Sequence, residues 1–125
     1  VALGYADERI QFGKKISSFQ LNQNKLATMQ GNLVASESMM AQLARMEDRG
    51  TANNEQSALA KAFTSKLMRE SVALGREILG GNGLISDYRM AKIFNDAEAI
   101  YSYEGTYDIN QLIVGRSLTG ESAFV

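Results

Sequence analysis

LATMQGNLVASESMMAQL, residues 26–43, decides the fold class. Leu26, Met29, Leu33, Ser36, Met40 and Leu43 step by three and four, the spacing that lays one stripe along an α-helix. Working outward, the helix reaches back to about Ser18 and forward to Arg49-Gly50, where basic residues and a glycine suit a C-terminus. Ser17 with Gln20 reads as an S-x-x-Q capping box opening it. From Ser18 to Arg49 such a helix covers about 48 Å at ~1.5 Å per residue. Helices this long generally belong to bundles.

The flanking sequence repeats the helical period. Val1 to Phe12 reads as a helix stopped by Gly13. Thr51-Ala52-Asn53-Asn54 is a short polar connection in which Asn53 or Asn54 can cap the next helix. That helix carries Leu59, Phe63, Leu67, Leu74 and Ile78 and stops at Gly80-Gly81-Asn82-Gly83. A fourth stretch covers about Asp87 to Ala99. After a break at Tyr101–Gly105, Thr106 caps a last helix bearing Ile109, Leu112 and Ile113. No strand-like alternation is expected anywhere. The sequence predicts an all-α antiparallel helical bundle, of four-helix up-and-down type with an additional short helix, as one domain over residues 1–125.

Composition narrows the chemistry. The 125 residues include 13 Lys plus Arg against 14 Asp plus Glu, and no His, Cys, Pro or Trp. Without Cys there is no disulfide framework, thiol nucleophile or thiolate metal site. Without His the usual proton shuttle and the commonest zinc ligand are gone, so no metal site is expected. Proton transfer falls to Asp, Glu, Lys or Tyr. The net charge of −1 gives no basic excess of the kind a nucleic-acid partner demands. No apolar run approaches the ~20 residues of a membrane span. Average usage would supply roughly six prolines, and their absence fits long regular elements. The opening Val1-Ala2-Leu3-Gly4-Tyr5, with no initiator Met and no capping residue, reads as a helix entered midway, hence a piece of a longer protein.

Three places stand out from scaffold. Arg9-Ile10-Gln11-Phe12-Gly13 sets an Arg and a Gln two apart, able to grip an anion and a polar heterocycle with Phe12 as an apolar wall; guanidinium suits phosphate because its fork donates two hydrogen bonds. The plainer alternative is a surface Arg, a Gln and a core Phe before a capping Gly. Gly80-Gly81-Asn82-Gly83 follows a helix rather than a strand, so it is no dinucleotide fingerprint. It reads either as a helix C-cap needing positive φ at successive residues or as a place where backbone approaches a ligand. Tyr101-Ser102-Tyr103-Glu104-Gly105-Thr106 lies in an aromatic corner, with Tyr88, Phe94 and Tyr107 nearby. Surroundings that exclude water fit a carboxylate for proton transfer near neutral pH. The alternative is a solvated loop Glu flanked by core tyrosines.

Taken in order, YADERIQFG (5–13), FQLNQNKLA (19–27), LGREILGGNG (74–83), YEGTYDIN (103–110) and LIVGR (112–116) resemble the C-terminal helical domain of acyl-CoA dehydrogenases over nearly the whole chain. Glu104–Ile109, Gly115-Arg116 and Thr119-Gly120 are most similar to the glutaryl-CoA dehydrogenase branch and the short-chain acyl-CoA oxidases. Asp108 and Glu77 depart from the wider pattern, in which Gln is common at both places.

The resemblance implies α,β-dehydrogenation of an acyl-CoA thioester, glutaryl-CoA among the candidates. Glu104 would be the base that takes the α-proton, and FAD would receive the β-hydride. It places Tyr103 and Gly105 at the substrate and Thr106 and Asp108 near the flavin of the same subunit. Arg9, Gln11, Phe12, Glu77 and Gly81 would reach the FAD of a neighbouring subunit, with Arg9 on the pyrophosphate. It further implies a homo-oligomer, dimer or tetramer, together with N-terminal helical and middle β domains absent from these residues. The compartment implied is the cytoplasm in a bacterium, or the mitochondrial matrix or peroxisome in a eukaryote. Two other readings are a short-chain acyl-CoA oxidase and a non-catalytic helical oligomerisation module.

Overall fold

Two long helices dominate the computed structural model, which describes residues 1–122; the last three residues of the expected 1–125 domain lie outside the described residues. The elements in order are α1 (Ala2–Glu8), β1 (Ile10–Gln11), β2 (Lys14–Lys15), α2 (Gln20–Asp48), α3 (Asn54–Leu79), α4 (Met90–Ser102) and α5 (Tyr107–Thr119). The expected all-α architecture is observed. α3 is its axis, packing against α1, α2, α4 and α5.

The starts and stops of the helices have local causes. α3 opens on a full capping box: the Gln56 backbone N–H donates to Asn53 Oδ1 at 2.9 Å, and the Asn53 N–H donates to Gln56 Oε1 at 2.9 Å. Each bond satisfies a donor that the first helical turn leaves unpaired. α5 starts where Thr106 Oγ1 accepts from the Ile109 N–H at 3.2 Å, as its sequence predicts. α2 ends at Asp48; beyond it the N–H of Gly50 (φ 66°) reaches the Glu47 carbonyl while that of Thr51 reaches Met46.

Four expectations need correction. The first helix ends at Glu8 rather than Phe12, because Ile10–Gln11 pairs antiparallel with Lys14–Lys15 in a small hairpin. Phe12 (φ 53°) and Gly13 (φ 77°) make its turn, the left-handed pair whose twist suits a two-residue hairpin. The strand periods are too short to show as alternation. Ser17–Gln20 is not a capping box: Phe19 is the N-cap of α2, with no side-chain cap. The polar groups there serve the preceding turn, Ser18 Oγ donating to the Lys15 carbonyl at 2.7 Å and Asn22 Nδ2 to that of Ile16 at 2.9 Å. α4 begins at Met90, not Asp87, since Arg89 is left-handed (φ 59°) and separates it from a 3₁₀ turn at Ser86–Tyr88. In the Gly80–Gly83 run only Gly80 has positive φ; the remainder forms a 3₁₀ turn through Leu84.

The core is largest at one end of the molecule, where Ala2, Ala6, Ile16, Ile78, Leu79 and Met90 are buried and Tyr5, Phe19, Leu26 and Met29 pack on them. Along the first half of α3 the buried residues are small: Ala58, Ala60, Ala62 and Ser65. Small side chains let neighbouring helices approach closely, and the larger Leu59 and Phe63 are pushed to the margin at about 40% exposure. On α2, Leu33 and Met40 are likewise half exposed. An open apolar groove of about 790 Å³ runs between α1, α2 and α3, lined by Leu3, Leu26, Met29, Leu33, Met68 and Val72 among others. Among the described residues, no helix is long and apolar enough to cross a membrane.

Candidate functional site

The residues singled out in the sequence gather in two places. The first is a cavity of about 430 Å³ at the C-terminal end of α3, lined by Arg9, Gln11, Asn22, Glu77, Gly81 and Asn82 among others. The hairpin brings Arg9 and Gln11 to it: Arg9 is extended and its carbonyl accepts from the Ile16 N–H at 2.9 Å. The glycine turn on the opposite side is tied down by Asn82 Nδ2, which donates to the Tyr5 hydroxyl at 2.9 Å, and Tyr5 stands edge-on to Tyr88 with centroids 5.4 Å apart. Phe12 lies outside this cavity, at the hairpin tip, 93% exposed and edge-on to Phe19 at 6.1 Å.

Charge in this cavity is organised around Glu77. Lys25 Nζ sits 2.8 Å from Glu77 Oε2. The hydrogen bond from Lys25 and then its charge hold the Glu77 carboxyl below its ordinary value of 4.5. Glu77 therefore enters the cavity as half of an ion pair rather than as a lone anion. Arg9 forms no ion pair among the described residues. An exposed guanidinium beside a neutralised carboxylate, an amide and open backbone can take a phosphate. At Gly81 an added Cβ would meet nothing within 4 Å, so backbone there is open to a ligand. Gly83 is different: its Cβ would fall 2.5 Å from the Arg76 carbonyl oxygen. Close helix-to-turn packing explains that glycine.

The second place is the turn between α4 and α5. Tyr103 caps the end of α4 and is about half exposed; Glu104 (φ 55°) and Gly105 (φ 83°) are both left-handed. For a non-glycine residue that conformation costs about 1–3 kcal/mol and needs its surroundings to hold it. Those surroundings are specific. The Gly105 carbonyl accepts from Lys61 Nζ at 2.6 Å and from Asn110 Nδ2 at 2.9 Å, while Asn110 Nδ2 also donates to the Thr106 carbonyl at 3.0 Å. Lys61 reaches the Tyr101 carbonyl as well, at 3.3 Å. Asn110 is buried. A Cβ on Gly105 would press on Asn110 Nδ2 at 3.1 Å, so glycine serves both the backbone conformation and the approach of that amide.

A column of side chains braces the same turn. Arg69 of α3 lies over the Tyr101 ring at 4.6 Å, and Tyr101 stacks on Tyr107 with centroids 5.3 Å apart and planes 12° off parallel. Arg69 Nε also pairs with Glu98 Oε1 at 2.5 Å. That hydrogen bond, and then the Glu98 charge, make the guanidinium still more basic than usual. These tyrosines stack on each other rather than over Glu104, which is exposed together with Asp108. The exclusion of water expected around Glu104 is thus not supplied by the described residues.

Lys61, Asn110, Arg69 and Lys25 were missed from the sequence. A signal existed for Lys61: its neighbours one turn away on either side, Ser57, Ala58, Thr64 and Ser65, are all small, which leaves a long side chain a path across the helix face. The two places are separated along α3. From Lys61 to Glu77 the axis rises about 24 Å, at ~1.5 Å per residue. Among the described residues no group of His, Cys, Asp and Glu could hold a metal.

The family model described as acyl-CoA dehydrogenase, C-terminal domain, matches residues 1–119. A mitochondrial isovaleryl-CoA dehydrogenase of Oryza sativa subsp. japonica is 34% identical over 121 residues, covering 97% of this chain and 30% of the relative. The glutaryl-CoA dehydrogenase structure from Mycobacterium smegmatis superposes with a TM-score of 0.94 at 35% identity, over 99% of this chain and 32% of that one. A Mycobacterium smegmatis glutaryl-CoA dehydrogenase in complex with FADH2 gives 0.90 at 33% identity, with the same coverage of 99% and 32%. The chain thus spans about a third of the length of the relatives it matches.

Proposed function

The chain belongs to the acyl-CoA dehydrogenase family, and on that premise we propose that it is the C-terminal domain of a longer FAD-dependent enzyme that dehydrogenates an acyl-CoA thioester between its α and β carbons. Glu104 is the base. The observation that carries this reading is the α4–α5 turn, where Lys61 and Asn110 grip the Gly105 carbonyl and present Glu104 on a fixed, left-handed backbone.

FAD, when bound, supplies the acceptor for the hydride lost from the β-carbon. The rest falls to this chain and the domains that complete it. A Glu104 carboxylate oxygen takes the α-proton, and the Glu104 backbone N–H is a donor for the enolate oxygen, since developing negative charge must meet positioned donors. Tyr103 and Gly105 flank the acyl group. The 430 Å³ cavity fits the cofactor's phosphates by its donor set: Arg9 for the pyrophosphate, Gln11 and the Lys25-paired Glu77 as polar partners, Gly81 as open backbone. Phe12, exposed at the hairpin tip, would supply an apolar wall to the same cofactor. Thr106 and Asp108 would hold a flavin at the other place. The ~24 Å along α3 between the two supports a division in which each FAD is shared by two subunits, as a dimer or tetramer. Half-exposed Leu59, Phe63, Leu33 and Met40 fit a domain whose faces are covered in that assembly.

Glutaryl-CoA is the substrate we favour, on the likeness to glutaryl-CoA dehydrogenase. The alternative reading is a short-chain acyl-CoA oxidase. In the full-length protein, Glu104→Gln should abolish turnover while the flavin absorbance is retained; near-wild-type turnover would overturn the assignment. Assays with glutaryl-, butyryl- and octanoyl-CoA, following carbon dioxide and hydrogen peroxide together, select the substrate and separate dehydrogenase from oxidase. By itself the 125-residue chain should neither hold FAD tightly nor turn over.

A further inference from the structure

We propose that Lys61 is a positioning residue for the reaction: its ammonium, anchored on α3, sets where the Glu104 carboxylate stands. The inference rests on the reading of Glu104 as the base. Its basis is geometric. α4 ends and α5 begins within a few residues, and the chain reverses through two consecutive left-handed residues, Glu104 and Gly105. Such a turn has no backbone ladder of its own to fix it. Lys61 Nζ bonds the carbonyls on both sides of Glu104, Tyr101 at 3.3 Å and Gly105 at 2.6 Å. The first is one of the last carbonyls of α4, which lack a helical partner and carry the negative end of the helix dipole. The second belongs to Gly105, itself left-handed.

One ammonium therefore ties the end of α4 and the turn beyond Glu104 to a single point on α3, the helix that packs against all the others. Asn110 holds the Gly105 carbonyl from the α5 side at 2.9 Å, so that oxygen is fixed from two directions. Neither donor is bonded to the Glu104 side chain, which stays exposed. Lys61 thus acts on the backbone under the base and leaves the carboxylate itself available. A lysine suits the task better than a neutral donor, because hydrogen bonds from a charged group are stronger and one ammonium can serve more than one carbonyl.

The test uses the full-length flavoenzyme with Lys61→Met, Lys61→Gln and Lys61→Arg beside Glu104→Gln. Misplacing a reacting group by about 1 Å costs up to roughly 100-fold in rate. Lys61→Met and Lys61→Gln are expected to lower kcat about 10- to 100-fold, with KM changed less than about threefold and flavin absorbance retained. The kinetic isotope effect with α-deuterated acyl-CoA should rise, because proton abstraction becomes rate-limiting; a general loss of stability would not produce that. Lys61→Arg, which keeps the charge and reach, should recover most of kcat. Wild-type kcat and isotope effect in Lys61→Met, with Glu104→Gln inactive, overturn the positioning role and leave the base assignment standing. Turnover by Glu104→Gln overturns the base assignment and this proposal with it. Should Lys61→Met fail to accumulate as a flavoprotein, the Gln and Arg variants decide by the same readouts.

Discussion

Gly83→Ala and Gly81→Ala, two residues apart in one glycine-rich turn, should shift stability in opposite directions. At Gly83 the added methyl would lie 2.5 Å from the Arg76 backbone oxygen and 3.1 Å from Arg76 Cγ. Carbon and oxygen do not approach so closely, and the obstacle is main chain in the last turns of α3, not a side chain that can swing away. The turn or the helix end must yield, which for an overpacked interior site costs about 1–3 kcal/mol. Restricting the unfolded chain returns about 0.4–1 kcal/mol, leaving at mid-range a net loss of about 1.3 kcal/mol. Unfolding entropy of ~2.1 cal/mol/K per residue gives the whole chain about 0.26 kcal/mol/K, so the melting temperature should fall by about 5 °C. At Gly81 nothing lies within 4 Å and φ is not positive. Only the unfolded-state gain of about 0.4–1 kcal/mol remains there, and Gly81→Ala should melt about 1.5–4 °C higher. Thermal melts of the 125-residue chain by far-ultraviolet circular dichroism measure both. A Gly83→Ala chain that melts at or above the wild-type temperature refutes the packing argument.

The Lys25–Glu77 pair makes a prediction in pH. Because its folded pKa lies below the ordinary 4.5, Glu77 contributes stability that is fully present above that value and is lost as pH falls through the lower folded value. In Lys25→Met this acid-side loss should shrink and Glu77 should titrate nearer 4.5, as followed by side-chain carboxyl NMR; an unmoved Glu77 titration contradicts the pairing. Asn53→Ala removes the capping-box acceptor of α3 and should cost about 1 kcal/mol, read as a lower midpoint in urea at unchanged slope.

Much of the fold is legible in the sequence because its signals are local. The extent of α2, the polar connection at Thr51–Asn54, the Thr106 cap and the arrests at Gly50 and Gly80 each depend on residues within a turn of one another. The hairpin at Ile10–Lys15 escaped because two-residue strands carry no period, and Phe12 is an uncommon residue in a left-handed turn. Leu59 and Phe63 belong to the apolar stripe of α3, yet the small side chains of Ala58, Ala62 and Ser65 take the buried side. For the candidate site, the sequence pointed to the segments while their supports came only with the structure. Lys61 meets Gly105 across 44 residues and Arg69 meets Glu98 across 29, and separations of that size leave no pattern in a single chain. Glu77 was read as a departure from Gln, without the lysine that neutralises it.

α3 also behaves as a ruler. Lys61 on one turn fixes the α4–α5 reversal, and Glu77 on another lines the 430 Å³ cavity beside Arg9, with unbroken helix between. Inserting a single residue anywhere between them would turn one end about 100° against the other and slide it about 1.5 Å, so one of the two side chains would face away from its partner. Outside that span the chain does not gauge distance between the two places. The number of residues from Lys61 to Glu77 is thus a structural constant in its own right, one that substitution can leave intact and insertion cannot.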